Sequence, residues 1–217
     1  CCLWVAVSGD IHVVYREYYQ PDKLISYHRE RIAELSGKET YEGNYCDPSM
    51  LHKDSQKNGG KWSVADEYLD KSIPAPSIYL QPADNNEYPI RNRINELLTP
   101  RSDKIHPVTG RSLAPLLYFV RKSEEHPNGC YYAINETQGQ RRKLLGTENG
   151  RNVYSDERDE GTSDHAYDCV RYYCGLKQVH FLREKRIIPS GSFYAAQNEL
   201  KKLRQAFNGG LPAFLSN

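Results

Sequence analysis

Apolar residues fall into two short runs at the start of the chain and predict a β-hairpin. Leu3–Val7 and Ile11–Tyr19 are the two runs, and Ser8-Gly9-Asp10 between them has the residue types of a tight turn. Over residues 22–35 the apolar positions recur on one helical face instead, and Gly37 follows at the expected end. The pattern therefore predicts a hairpin followed by a helix.

Further along the chain, short strands and helices alternate. Strands are predicted at 44–46, 78–80 and 116–120, and helices at 63–69, 86–98 and 163–176, with a final amphipathic helix at 193–207. Residues 127–145 are predicted to form an excursion or hairpin that carries a basic arm. This order predicts an α/β fold: a mixed sheet with an antiparallel N-terminal hairpin and flanking helices.

Composition narrows the classes of protein to consider. The 29 basic and 28 acidic residues balance, which excludes a histone-like mode of DNA binding but not a nuclease whose acidic site offsets basic strand contacts. None of the six cysteines forms a Cys-x-x-Cys pair, so a structural zinc site is not expected, and a reducing cytoplasm is the predicted compartment. No apolar run could span a bilayer, and no Gly-x-x-x-x-Gly-Lys-Ser/Thr motif of an ATPase occurs.

The helix predicted at 163–176 carries the most suggestive polar residues. Asp164, His165 and Asp168 share one side, because residues three and four apart lie on the same face of a helix. The opposite side is predicted to be apolar, with Ala166, Cys169, Val170 and Tyr173. The alternative is an ordinary surface helix with solvated acids, capped by Thr162 or Ser163.

Asp47 is the second candidate, because it ends the strand predicted at 44–46. Acids at strand ends of α/β sheets are often found in functional sites. The alternative is that Asp47 and Pro48 form a turn, which is a frequent use of that dipeptide. Carboxylates from different elements suit Mg²⁺ or Mn²⁺, and two such ions can activate water for phosphodiester cleavage. A neighbouring His can complete the coordination or move a proton.

Three segments resemble the C-terminal nuclease domain of the large terminase subunit of tailed phages. They are Val13–Tyr19, Cys46-Asp47-Pro48-Ser49, and the run from Asp164 to Tyr172, and the resemblance covers residues 1–177. It implies an RNase H-like fold for residues 1–177, followed by a C-terminal tail at 178–217. It also implies that Asp47, Asp168 and His165 bind a two-metal Mg²⁺ or Mn²⁺ site, with Asp164 as a further catalytic acid.

The activity that the resemblance implies is metal-dependent endonucleolytic cleavage of concatemeric double-stranded DNA during phage genome packaging. Its implied partners are the portal protein and the small terminase subunit, in the cytoplasm of the infected bacterial host. One position departs from the family, whose first acid lies at the start of the first strand. No acid occurs between Cys1 and Val7, and Asp10 lies in the hairpin turn. We therefore expect that acid, and an ATPase domain, upstream of Cys1.

Two basic segments are predicted to contact the DNA backbone. Lys53, Lys57 and Lys61 follow Asp47 in a glycine-containing loop, and Arg141, Arg142 and Lys143 form the basic arm. Solvated loops are the alternative for both segments. Two other functions stay open: a non-catalytic module that binds DNA or docks on the portal or motor, and a related RNase H-like resolvase or transposase.

Overall fold

A computed structural model describes residues 1–53, 55–57, 60–148, 150–159, 161 and 163–176, with backbone only for 55–57 and 156. The predicted tail at 178–217, with its helix, lies outside these residues. The described part is a mixed α/β structure with small sheets and five α-helices. No helix in this part is long and apolar enough to cross a membrane.

The elements follow one another in an α/β order. The helices are α1 Ile25–Ser36, α2 Val64–Leu69, α3 Glu87–Leu98, α4 Tyr132–Gly139 and α5 His165–Cys174, with a 3₁₀ turn at Pro48–Leu51. The strands are β1 Cys2–Ser8, β2 Ile11–Tyr18, β3 Tyr45–Cys46, β4 Ser55–Lys57, β5 Gly60–Trp62, β6 Gln81–Pro82, β7 Arg101–Ile105, β8 Ser112–Ala114, β9 Leu117–Phe119, β10 Arg142–Glu148 and β11 Arg151–Arg158.

The largest described sheet has three strands in the order β1-β2-β9. β1 and β2 form the predicted antiparallel hairpin, and β9 lies parallel to β2, so the sheet is mixed as predicted. The other described strands form two-stranded pairs, and β3 pairs with β6 outside this sheet. The strand that precedes Asp47 is therefore not part of the main sheet.

Two predicted segments differ from the structure. Residues 78–80 do not form a strand, because the Ile78 amide donates to the Tyr68 carbonyl at 2.9 Å and pairing with β3 begins only at Gln81. Residues 127–145 contain α4, and the hairpin starts only after it, at Arg142. The sequence pattern missed α4 because it is short and most of its side chains are polar.

A single apolar core holds the sheet and three helices together. It draws on β2 and β9 from the sheet, on one face of α3, and on α4 and α5; its members include Val14, Ile90, Ile94, Leu97, Leu117, Ala133, Ala166 and Val170. α5 ends at Gly175, where a Cβ atom would lie 2.6 Å from Ile90 Cδ1, so the end of α5 packs tightly on α3.

A polar contact also ties α5 to the sheet. His12 on β2 is 3 % exposed, and its Nδ1 lies 2.5 Å from the Tyr173 hydroxyl on α5. Burial, and then the positive charge of Arg93, lower the pKa of His12, which favours a neutral imidazole. The helix that bears the candidate acids is therefore fixed to the sheet by both apolar and polar contacts.

Arg29 on α1 is fully buried and organises the segment after α2. Its guanidinium donates to the carbonyl oxygens of Glu67, Asp70, Ala75 and Pro76 at 2.5–3.0 Å. These carbonyls belong to the end of α2 and the turn that follows it. A single side chain thus replaces the regular hydrogen bonding that this stretch lacks.

We predict that Arg29→Met strongly destabilises the protein, because the carbonyls lose a charged donor inside the structure. The expected loss is about 3 kcal/mol or more in the free energy of unfolding, measured by urea denaturation. Arg31→Met is the control, since Arg31 on the same helix pairs with Glu34 and its side chain is 37 % exposed; its loss should stay below about 1 kcal/mol. Equal losses for the two variants would contradict this account of Arg29.

Candidate functional site

The start of α5 is determined by a side chain from α4. Glu136 is 7 % exposed, and its Oε2 accepts from the amides of Ala166 and Tyr167 at 2.6 and 3.1 Å. Ser163 Oγ donates to the other carboxylate oxygen at 2.9 Å, so Ser163 does not cap the helix itself. The buried carboxylate satisfies amides that a helix start leaves unpaired and complements the helix dipole.

Asp164 and Asp168 converge on one guanidinium. Arg158, the last residue of β11, places Nη2 2.6 Å from Asp164 Oδ2 and Nη1 3.0 Å from Asp168 Oδ1. All three side chains are 20–29 % exposed. Burial lowers the pKa of Arg158, but the hydrogen bond and charge of Asp168 and the charge of Asp164 outweigh it and raise the pKa. The two predicted acids therefore share one side of α5 and bind a cationic group there.

Arg171 holds the same carboxylate from the other side. Its Nε donates to Asp168 Oδ1 at 3.1 Å, and its Nη1 donates to Asn85 Oδ1 at 2.7 Å. The residue is 5 % exposed, and its guanidinium lies 5.0 Å from the centre of the Tyr172 ring. Arg171 is therefore fixed by three neighbours, and Asp168 is held between two arginines.

Asp47 reaches α5 from the end of β3. The Tyr172 hydroxyl donates to Asp47 Oδ2 at 2.6 Å, and the Ser49 amide donates to Asp47 Oδ1 at 2.7 Å. Burial raises the pKa of Asp47, but the hydrogen bonds from Tyr172 and Ser49 and the charge of Arg171 lower it further, so the net pKa is below its usual range. Asp47 thus caps the turn at Pro48 and also contacts α5, so both interpretations of this residue hold.

The structure brings Asp47 and Asp168 to neighbouring points of one helix. Asp47 bonds to Tyr172 and Asp168 bonds to Arg171, which are consecutive residues of α5. Burial, the hydrogen bond to Asp47 and the charge of Asp168 raise the pKa of the Tyr172 hydroxyl, so this group senses both acids. Two acids that are 121 residues apart in the chain therefore act on the same turn of α5.

His165 lies beside these acids but points outward. Its side chain is 75 % exposed, and its Nδ1 is 3.7 Å from Asp164 Oδ1. Its ring lies 6.3 Å from that of Tyr19, which stacks on Tyr132 at 4.2 Å. The predicted apolar side of α5 also differs in part: Ala166 and Val170 are buried, whereas Cys169 and Tyr173 are only half-buried.

The donor atoms of this site fit a hard divalent ion in type. Asp47, Asp164 and Asp168 supply carboxylate oxygens, which Mg²⁺ and Mn²⁺ prefer. Within the described residues, no three His, Cys, Asp or Glu side chains are grouped closely enough to hold a metal ion. Arg158 already binds two of the three carboxylates, so an ion that used them would take the place of its guanidinium.

Two of the three predicted loop lysines line one cavity. Lys53, Lys61 and a further lysine, Lys71, surround a cavity of about 440 Å³ together with Trp62, Asp66, Leu69 and Asp70. The Lys53 Nζ lies 3.9 Å from Asp66 Oδ2. Lys57 ends β4, and the structure describes only its backbone. The cavity is therefore basic on one side and acidic on the other.

The predicted basic arm lies at the base of the β10–β11 hairpin. Arg141 comes just before β10, and Arg142 and Lys143 begin it; all three are exposed. Lys143 Nζ lies 3.6 Å from Glu157 Oε2, and Arg142 pairs across the hairpin with Arg158. The basic arm and the guanidinium that holds Asp164 and Asp168 are thus opposite one another at one end of the hairpin.

Three residues central to this site were not identified from the sequence. Arg158, Glu136 and Tyr172 act through contacts between separate elements. Arg171 lies three residues after Asp168, and that helical spacing could have identified the ion pair. No local pattern signals the other three, because their partners are far away in the chain or, for Arg158, across a loop.

Comparison of the chain with protein-family models, with curated proteins and with solved structures finds no match. Any functional assignment therefore depends on the geometry of the site and on the motifs in the sequence.

We predict that Glu136→Gln destabilises the start of α5. The amide side chain keeps the shape of the carboxylate but loses the charge that complements two helix amides and the dipole. The expected loss in the free energy of unfolding is about 1–2 kcal/mol, with faster hydrogen exchange at Ala166 and Tyr167. Glu125→Gln, in an exposed loop, should change neither measurement. Unchanged exchange at α5 in Glu136→Gln would show that another group caps this helix.

Proposed function

We propose that this chain is an RNase H-like, divalent-metal-dependent endonuclease domain that cuts double-stranded DNA, as the resemblance to the terminase nuclease domain implies. The observation that carries the proposal is the meeting of Asp47 and Asp168 on one turn of α5. A shared metal site requires acids from separate elements to converge in this way. The mixed sheet with its antiparallel hairpin is compatible with the proposed fold family.

In this proposal Asp47 and Asp168 hold Mg²⁺ or Mn²⁺, and Asp164 and His165 assist from the start of α5. When bound, such ions supply positive charge and an activated water for phosphodiester hydrolysis. Tyr172 and Ser49 orient the Asp47 carboxylate, and Arg171 orients that of Asp168. The exposed His165 is placed to exchange a proton with solvent or with a substrate oxygen.

DNA would approach the site along the base of the β10–β11 hairpin. Arg141, Arg142 and Lys143 are exposed there, close to the residue that holds Asp164 and Asp168. Such contacts reach phosphates and give little sequence preference. The lysines of the loop after Asp47 form a second set of proposed backbone contacts. Cleavage of concatemers during packaging, the portal and small-subunit partners, and the infected host cytoplasm complete the proposal on the strength of the resemblance.

A second candidate function is DNA binding without catalysis. Two arginines neutralise Asp168, and one of them also binds Asp164, which is an arrangement that also suits a purely structural ion-pair network. A module of this kind would use the basic arm and would not need a divalent ion.

We predict that Asp168→Asn reduces nicking of supercoiled plasmid in Mn²⁺ by about 100-fold or more, because a metal-binding carboxylate is lost. Asp103→Asn is the control: Asp103 is 61 % exposed on β7 and should leave the rate unchanged. If Asp168→Asn cuts as fast as the wild type, the proposed site is wrong. If the wild type binds DNA but does not nick it in Mn²⁺ or Mg²⁺, the non-catalytic function is favoured.

We predict that replacing Arg141, Arg142 and Lys143 together by Gln weakens binding to duplex DNA of any sequence. The slope of log affinity against log salt should become shallower by about 0.9 for each phosphate that the protein no longer neutralises, measured by fluorescence anisotropy. Replacing Lys23, Arg31 and Lys38 around α1 by Gln removes the same charge and is the control. Equal effects of the two triple variants would mean that net charge, and not the basic arm, determines binding.

A further inference from the structure

The guanidinium of Arg158 occupies the point where two carboxylates converge. Its two terminal nitrogens bind Asp164 Oδ2 at 2.6 Å and Asp168 Oδ1 at 3.0 Å. We propose that Arg158 competes with the divalent cation for these carboxylates, and that cation binding releases Arg158 and, with it, the end of the β10–β11 hairpin. This inference rests on the proposed function, because it assumes that the acids bind a metal ion.

Competition follows from the chemistry of the groups. A carboxylate oxygen that accepts a short charged hydrogen bond cannot offer the same lone pair to a metal ion. Arginine stays charged at all physiological pH values, so it cannot vacate the site by losing its proton. Binding of a cation at Asp164 and Asp168 therefore requires the Arg158 side chain to move.

Arg158, and not Arg171, is the arginine that is free to move. Arg171 is 5 % exposed and bonds to Asn85 as well as Asp168, so it is anchored on two sides. Arg158 has a 20 % exposed side chain at the end of a hairpin whose side chains are largely exposed. Movement of Arg158 opens one side of Asp168 and leaves Arg171 to hold the other.

Release of Arg158 would also change the hairpin that carries the basic arm. β10 and β11 pair with each other, and the Asp159 amide closes the base of the hairpin on the Arg141 carbonyl at 2.9 Å. The bonds from Arg158 to α5 tie this base to the site. Once released, the guanidinium lies beside Arg142 and can bind a DNA phosphate as a forked donor. Cation binding would thus convert an internal ion pair into a DNA contact.

Mn²⁺ binding to the full chain without DNA, measured by titration calorimetry, tests the competition directly. Arg158→Gln should bind Mn²⁺ about fivefold tighter than the wild type, because the competing charge is gone. Arg158→Lys keeps the charge but not the forked geometry, and it should lie between the two. Arg151→Gln, an exposed arginine at the other end of β11, is the matched control and should bind like the wild type.

Hydrogen exchange at residues 157–159 tests the release of the hairpin. In the wild type these amides should exchange faster in saturating Mn²⁺ than without it. In Arg158→Gln they should exchange fast under both conditions. Thermal melting of each variant without Mn²⁺ shows whether the chain is folded, and Arg158→Lys provides a folded comparison if Arg158→Gln is not.

The outcomes separate this inference from the proposed function. Tighter Mn²⁺ binding by Arg158→Gln, with faster exchange at the hairpin base, supports the competition, as does binding by this variant alone. Equal or weaker binding by a folded Arg158→Gln overturns the competition and assigns Arg158 to holding the carboxylates in place, while the metal site stands. Absence of Mn²⁺ binding in both the wild type and Arg158→Gln overturns the metal site and the competition together.

Discussion

The carboxylate of Glu136 at the start of α5 is the contact on which the candidate site depends. It fixes the first turn of α5 from a neighbouring helix, at amides that would otherwise lack partners inside the protein. Asp164, His165 and Asp168 all lie within that first turn or just before it. A shift of the helix start by one residue would rotate Asp164 and Asp168 by about 100° and separate them from Arg158.

Charge balance explains how so many acids can lie close together. Asp47, Asp164 and Asp168 meet two arginines, and the tyrosine hydroxyl of Tyr172 and the amide of Ser49 supply further donors. Each partly buried carboxylate therefore has partners, as the cost of removing charge from water requires. The same balance makes the site responsive, because a cation that enters it must replace a charge already there.

The core of the protein gives this arrangement its rigidity. α5 packs on α3 through Val170 and Gly175, and its Tyr173 meets the buried His12 of the sheet. Asp47 reaches the helix on a short strand that pairs only with β6 among the described strands. The site is thus built between a firmly packed helix and a small peripheral pair of strands, which places Asp47 by its contacts to Tyr172 and Ser49.

Local pattern was enough to determine the elements that make up this protein. Alternation predicted the hairpin of β1 and β2, and helical spacing predicted α1, α3 and α5, because these elements bury one regular face. The same spacing placed Asp164 and Asp168 on one side of α5. It could not place α4, whose residues carry no regular apolar face, and it wrongly predicted a strand at 78–80, where the Ile78 amide bonds to Tyr68 instead.

Only the tertiary structure decided what the acids touch. Arg158, Glu136 and Tyr172 meet their partners across 10, 30 and 125 residues, between elements whose packing no local pattern describes. The sequence by itself therefore determined which residues share the exposed side of α5, because helical geometry is local. The tertiary structure determined that this side is held by arginines and joined by Asp47, because charge partners are chosen by how separate elements pack.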